Sequence, residues 1–154
     1  MFRSLMVSLL LIASLGCGGE DSDSGDPAQV TYAPALGVDL TAMERRDSGL
    51  YVQDIVAGTG TTATAGRQVT VDYTGWLPDG TQFDSSKAPG RPPFSFTPGQ
   101  GRVIAGWEEG IPGMKVGGLR KLVIPTSLAY GEQGNRSIPP HSVLVFDVEL
   151  RSVP

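Results

Sequence analysis

Glycine and proline punctuate this chain so densely that almost no stretch is left for a full-length helix. The 154 residues hold 21 glycines and 12 prolines. In a helix interior glycine costs about 1 kcal/mol and proline about 3 kcal/mol. A helical bundle is therefore excluded, and short strands joined by many turns are the expected build. One helical window survives, residues 103–111, with Trp107, Glu108 and Glu109 inside it and Gly110 and Pro112 limiting it. Strands are expected over 50–56, 69–74, 93–96, 119–124 and 144–150. The clearest are those in which Val69, Val71 and Tyr73 alternate with Thr70, Asp72 and Thr74, and Leu144, Phe146, Val148 and Leu150 alternate with Val145, Asp147 and Glu149. One short helix against an antiparallel sheet is an α+β fold.

With 40% hydrophobic and 18% charged residues, the chain supports one ordinary domain plus an appendage. The appendage lies at the start. Met1, Phe2 and Arg3 precede an apolar run over residues 4–15, which ends at Gly16 and Cys17. A basic start, an apolar centre and a small residue at the cut are the layout of a secretory signal. The run is shorter than the ~20 residues a spanning helix needs. The sole cysteine stands directly after the small residue, so the segment resembles a bacterial lipoprotein signal. That resemblance implies a signal peptide over residues 1–16, a lipid on Cys17 and a membrane anchor. Gly18 stands where an Asp would favour inner-membrane retention, which points to the outer membrane, facing the periplasm. A plain secretory signal, giving a soluble exported protein, is the other reading.

Residues 17–37 read as the lipidated cysteine and a flexible acidic tether, and 38–154 as the folded domain. From Cys17 to Asp47 seven acids face two bases, whereas from Ser48 onward nine acids balance nine bases. The formal charge of −4 thus belongs to the tether and entry segment, and a nucleic-acid partner, which needs a basic surface, is excluded.

One cysteine and one histidine argue against a disulfide framework and a His/Cys metal site. Neither a G-x-S-x-G elbow nor a phosphate-binding P-loop is present, and His141 has no nucleophile or orienting acid marked beside it. What stands out is aromatic placement. Phe83 precedes Asp84, Trp107 follows Gly106 and Tyr130 precedes Gly131. Core packing and a binding pocket are both open readings of that pattern.

Five blocks carry a more specific pattern: Val71-Asp72-Tyr73-Thr74-Gly75-Trp76-Leu77 with Asp79-Gly80-Thr81-Gln82-Phe83-Asp84-Ser85-Ser86; Pro93-Phe94-Ser95-Phe96; Val103-Ile104-Ala105-Gly106-Trp107-Glu108-Glu109-Gly110; Ala129-Tyr130-Gly131 with Ile138-Pro139-Pro140-His141; and Leu144-Val145-Phe146-Asp147-Val148-Glu149-Leu150. In this order they resemble the FKBP family, the macrolide-binding peptidyl-prolyl isomerases, over about residues 48–151. The resemblance implies a five- or six-stranded, strongly twisted antiparallel sheet wrapped around one short helix. It implies cis–trans isomerisation of X-Pro bonds by a monomer without metal or cofactor, acting on X-Pro-containing polypeptides and open to macrolide inhibitors. It assigns Tyr73, Asp84, Tyr130 and Phe146 as catalytic side chains, and Phe83, Phe94, Val103, Ile104, Trp107 and Ile138 as substrate-binding ones. Trp107 is then the floor under the proline ring, and the Ile104 N–H and Tyr130 hydroxyl hold substrate carbonyls. Asp84 either orients substrate or builds its own loop. The segment between Phe83 and Phe94 is one residue longer than in compact members, and the loop over 134–138 one shorter; both rim the implied pocket. A binding module or chaperone with incidental turnover is the alternative function.

Overall fold

The computed structural model of the chain describes residues 25–154. The signal segment, Cys17 and the first part of the tether lie outside the described residues. The strands are β1 (Glu44–Arg45), β2 (Tyr51–Val56), β3 (Val69–Trp76), β4 (Gln82–Ser85), β5 (Phe94–Phe96), β6 (Leu119–Ile124) and β7 (Leu144–Ser152), with one helix, α1 (Ala105–Gly110), between β5 and β6. They form one seven-stranded antiparallel sheet in the order β1-β2-β6-β7-β3-β4, with β5 also on β3. Two short strands raise the number above the expected five or six.

β3 and β7 form the spine of the sheet, paired from Thr70 opposite Ser152 to Trp76 opposite Val145. Along β3 burial alternates residue by residue, as a period of two requires. Val69, Val71 and Tyr73 join Leu144, Phe146, Val148 and Leu150 of β7 in the main core, into which Trp107 and Ile111 of the helical segment also pack. The free edge of β3 is shared. Its first half pairs with β5, Val69 opposite Phe96, and its second half with β4, Thr74 opposite Ser85. The chain between β4 and β5 therefore loops out beside Tyr73, at the pocket.

Helix α1 is shorter than its sequence window. Ile104 is extended, with φ −59° and ψ 149°, and caps a helix that begins at Ala105. The Glu108 carboxylate accepts the Gly99 N–H and, at 3.0 Å, the Gly101 N–H, fixing the turn that leads in. Arg120 of β6 is buried and donates to the Gly110 carbonyl at 2.8 Å and to Asp54 of β2 at 2.7 Å. A cation at the helix C-terminus suits the unpaired carbonyls there.

The tether is where the structure corrects the sequence reading. A flexible segment through residue 37 is expected, but residues 25–37 are packed on the domain. Short 3-10 turns at Pro27–Gln29, Pro34–Leu36 and Leu40–Ala42 carry this strap across the outer face of the sheet. There Leu36 and Met43 are buried with Tyr51, Val123, Val143 and Val145, flanked by Val30, Tyr32 and Trp76. The Tyr32 hydroxyl donates to the Pro27 carbonyl at 2.8 Å, and the Ala33 N–H to the Pro78 carbonyl at 2.7 Å. The physical reason is that the outer face is itself apolar at these positions and has to be covered. A few well-spaced apolar residues suffice for that.

Candidate active site: an aromatic pocket over Trp107

A cleft of about 360 Å³ opens between α1, β3, the β4–β5 loop and the loop after β6. Its base is Trp107, 5% exposed. The Trp107 ring packs edge-on against Tyr73 at 4.9 Å between centroids and 81°, and against Phe146 at 5.3 Å and 78°. Phe94 meets it at 6.0 Å. Phe83 lies edge-on to Phe146 at 5.4 Å. This last contact needs Gly75 on β3: a Cβ there would stand 2.6 Å from the Phe83 ring and 2.7 Å from the Phe146 ring. Edge-to-face geometry is the favoured arrangement for such rings, and these rings form the apolar part of the cleft.

One side of the cleft is polar and tightly bonded. The Tyr73 hydroxyl donates to Asp84 Oδ2 at 2.5 Å, while Arg91 donates to Asp84 Oδ1 at 2.5 Å and to the Ser85 carbonyl at 2.7 Å. Asp84 Oδ1 also accepts the Ser85 N–H at 2.9 Å. Burial pushes the Tyr73 hydroxyl up, reinforced by the bond to Asp84, to about 12. For Asp84, partial burial works toward a higher value. The bonds from Tyr73 and Arg91 and the Arg91 charge outweigh it and hold the carboxyl below its ordinary range. Of the two roles open for Asp84, its contacts are those of a loop-builder: both oxygens are engaged in tying the β4–β5 loop to β3.

Nine of the ten expected side chains line this one cleft: Tyr73, Phe83, Asp84 and Phe94 from the sheet and its loop, Val103, Ile104 and Trp107 from the helical segment, Tyr130 from the loop after β6, and Phe146 from β7. Ile138 does not. It is 6% exposed and belongs to the main core. Asn135 and Ile138 bond to each other through both backbone pairs, at 2.9 and 2.6 Å, and Ile138 shares the main core with Tyr73, Trp107 and Phe146. Two lining residues are additional, Arg91 and Arg102. Arg91 stands between Gly90 and Pro92 in the lengthened segment, and it reaches Asp84 despite the extra residue. Arg102 carries no sequence signal. Among the described residues no group of three or more His, Cys, Asp or Glu side chains is placed to hold a metal ion.

The cleft and its sheet have close relatives. Residues 59–151 match the family model for FKBP-type peptidyl-prolyl cis-trans isomerases. An FK506-binding protein of Neisseria meningitidis serogroup B is 51% identical over 106 residues, covering 68% of this chain and 96% of that protein. The peptidyl-prolyl cis-trans isomerase Fkbp12 of Drosophila melanogaster is 49% identical over 107 residues, covering 68% and 98%. Among solved structures, AtFKBP13 superposes with a TM-score of 0.67 at 40% identity, over 73% of this chain and 98% of that one. FkpA from Escherichia coli gives 0.67 at 46% identity, over 73% and 51%. Fold, pocket and sequence thus agree along the whole domain, and the chain belongs to the FKBP-type peptidyl-prolyl cis-trans isomerase family.

Proposed function

We propose that the chain isomerises X-Pro bonds in exported polypeptides while tethered to a membrane through a lipid on Cys17. The observation that carries the chemistry is the Trp107 floor, ringed by Tyr73, Phe94 and Phe146. Amide resonance sets a barrier of ~18–20 kcal/mol to rotation, and the free reaction takes tens to hundreds of seconds. No bond is broken, so no nucleophile is required. The twisted amide has lost resonance and part of its charge separation, so an apolar cavity favours it over the planar ground state. Every ~1.4 kcal/mol of that preference is a factor of ten in rate. Proline sits on the Trp107 ring. Because Ile104 caps α1 in an extended conformation, its N–H lies outside the helix's own ladder and can hold one substrate carbonyl. Tyr130, 37% exposed at the rim, offers its hydroxyl to another.

The anchor reading rests on the residue order up to Cys17; among the described residues no helix is long and apolar enough to cross a membrane. Gly18, in place of an Asp, supports outer-membrane attachment, and the domain is read as facing the periplasm. The pocket also suits FK506-type macrolides, which would occupy the proline position.

The test is a protease-free isomerisation assay on the chain from Cys17 onward, with X-Pro peptides and FK506. Rapid turnover blocked by FK506 is the expected result. A folded but inactive chain would leave a binding module. Tyr130→Phe should keep the fold and slow turnover several-fold; full activity would remove the hydroxyl from the mechanism. In cells, Cys17→Ser should move the protein to the soluble fraction, and continued membrane retention would refute the lipid anchor.

A further inference from the structure

The strap over residues 25–43 is fastened at the base of the loop that carries Tyr130. That loop leaves the sheet after β6 and returns to it at β7. At its start the Gly25 carbonyl accepts the Thr126 N–H at 2.9 Å. Thr126 then closes the loop on itself. Its carbonyl accepts the N–H groups of Ala129 and Gly131 at 3.0 and 3.1 Å, and its Oγ1 donates to the Gly131 carbonyl at 3.3 Å. The chain is thereby held just before and just after Tyr130. At the loop's end the His141 N–H donates to the same Gly131 carbonyl at 2.9 Å. His141 adopts a left-handed φ of 61°, which a non-glycine residue keeps only where its surroundings enforce it. Two residues on, Val143 is fully buried in the outer cluster that contains Leu36 of the strap.

The strap meets both ends of the loop at van der Waals range. Gly25 has a φ of 65°, and a Cβ on it would lie 2.2 Å from Thr126 Cγ2 and 3.3 Å from the His141 carbonyl oxygen. Only glycine fits there. Tyr130 itself is 37% exposed, so its own burial does not hold the loop in place. Leu128, Ala129 and Ile138 of the loop pack on the main core, and the base adds the strap's contacts to that hold.

We propose that the strap is a positioning element of the isomerase pocket: through Gly25 and Thr126 at one end of the loop, and through the buried return at Val143, it sets where Tyr130 stands on the rim. This rests on the isomerase reading above, in which the Tyr130 hydroxyl holds a substrate carbonyl. Misplacing a group that orients substrate slows the reaction even when the displaced segment is remote from the chemistry, so the strap can tune turnover.

The experiment compares the chain from Cys17 onward with its Gly25→Ala variant, by amide hydrogen exchange and by kcat/KM on an X-Pro peptide. Exchange should quicken together at Thr126, Gly131 and His141, and kcat/KM should fall several-fold, by no more than the loss in Tyr130→Phe. In a Tyr130→Phe background the same substitution should lose less than about twofold, because the hydroxyl being placed is already gone. Faster exchange confined to Thr126, unchanged turnover, or an equal loss in both backgrounds would overturn the proposal. If Gly25→Ala does not fold, Leu36→Ala, which loosens the strap from the sheet, is read by the same three comparisons. An inactive parent chain would sink the isomerase reading separately, and the exchange pattern would still decide whether strap and loop are coupled.

Discussion

One carboxylate organises the polar wall of the pocket, and its two partners differ in burial. Arg91 and Asp84 have side chains 49% and 39% exposed, and solvent screens an ion pair at that exposure so that it adds little stability. Tyr73 is 7% exposed, and losing its hydrogen bond costs about 1 kcal/mol. Trp107 supplies packing to four rings, and truncating a buried Trp costs ~3–5 kcal/mol. Urea unfolding should therefore rank the variants Trp107→Ala, then Tyr73→Phe, then Arg91→Ala in decreasing loss of stability. Peptide binding should be destroyed by the first and only weakened by the last. Arg91→Ala as the most destabilising of the three would mean that the wall is held by charge and not by the rings. The Trp107 Nε1 atom is buried without a hydrogen-bond partner, an unfavourable element that the ring contacts outweigh.

Among the elements, the strap departs furthest from its composition. Gly, Ser, Asp and Pro in residues 17–37 read as solvated linker, yet Leu36 is 6% exposed under the sheet's outer face. Leu36→Ala should lower stability by ~2 kcal/mol, the low end for a buried leucine, because a surface segment can settle into part of the space. Thermal or urea unfolding reads this directly; an unchanged midpoint would restore the linker reading for this stretch. The contrast with β3 and β7 shows why some elements are legible and others are not. A strand buried on one face writes its partner into the sequence as alternation; β3 does so throughout and β7 from Phe146 to Leu150, while Val145 is buried on the other face under the strap. The strap's apolar residues are spaced by 3-10 turns and a covering requirement, which leave no period. β4 is unreadable for a related reason: it is short, and its burial does not alternate. In the site, the ring residues were visible through motif order. Ile138 packs in the main core behind the lining rings, and the pairing of Arg91 with Asp84 is fixed by loop closure, which the spacing of the lengthened segment does not reveal.

At the scale of the whole molecule, the sheet is held between two apolar clusters, the main core with the pocket on one face and the strap's cluster on the other. The proposed reaction moves no proton, so pH should act on turnover only by changing the pocket's shape. Asp84 sets the acid limit. Its carboxyl is held below the ordinary range, so its contribution to stability is complete above the unfolded value of about 3.9 and is lost as pH falls through the lower folded value. Tyr73 sets the alkaline limit with the opposite sign. Its folded value is about 12, so its contribution is complete below the unfolded value of about 10 and disappears as pH rises toward the folded one. Between about pH 4 and pH 10, kcat/KM should therefore be level, and the falls outside that window should coincide with loss of near-ultraviolet circular dichroism from the packed rings. A limb inside the window, with the ring signal unchanged, would mean that a titrating group takes part in catalysis and that shape and dipole alone do not explain the rate. Tyr73→Phe sharpens the comparison, because removing the hydroxyl removes its part of the alkaline limit while leaving Asp84 with Arg91 to define the acid one.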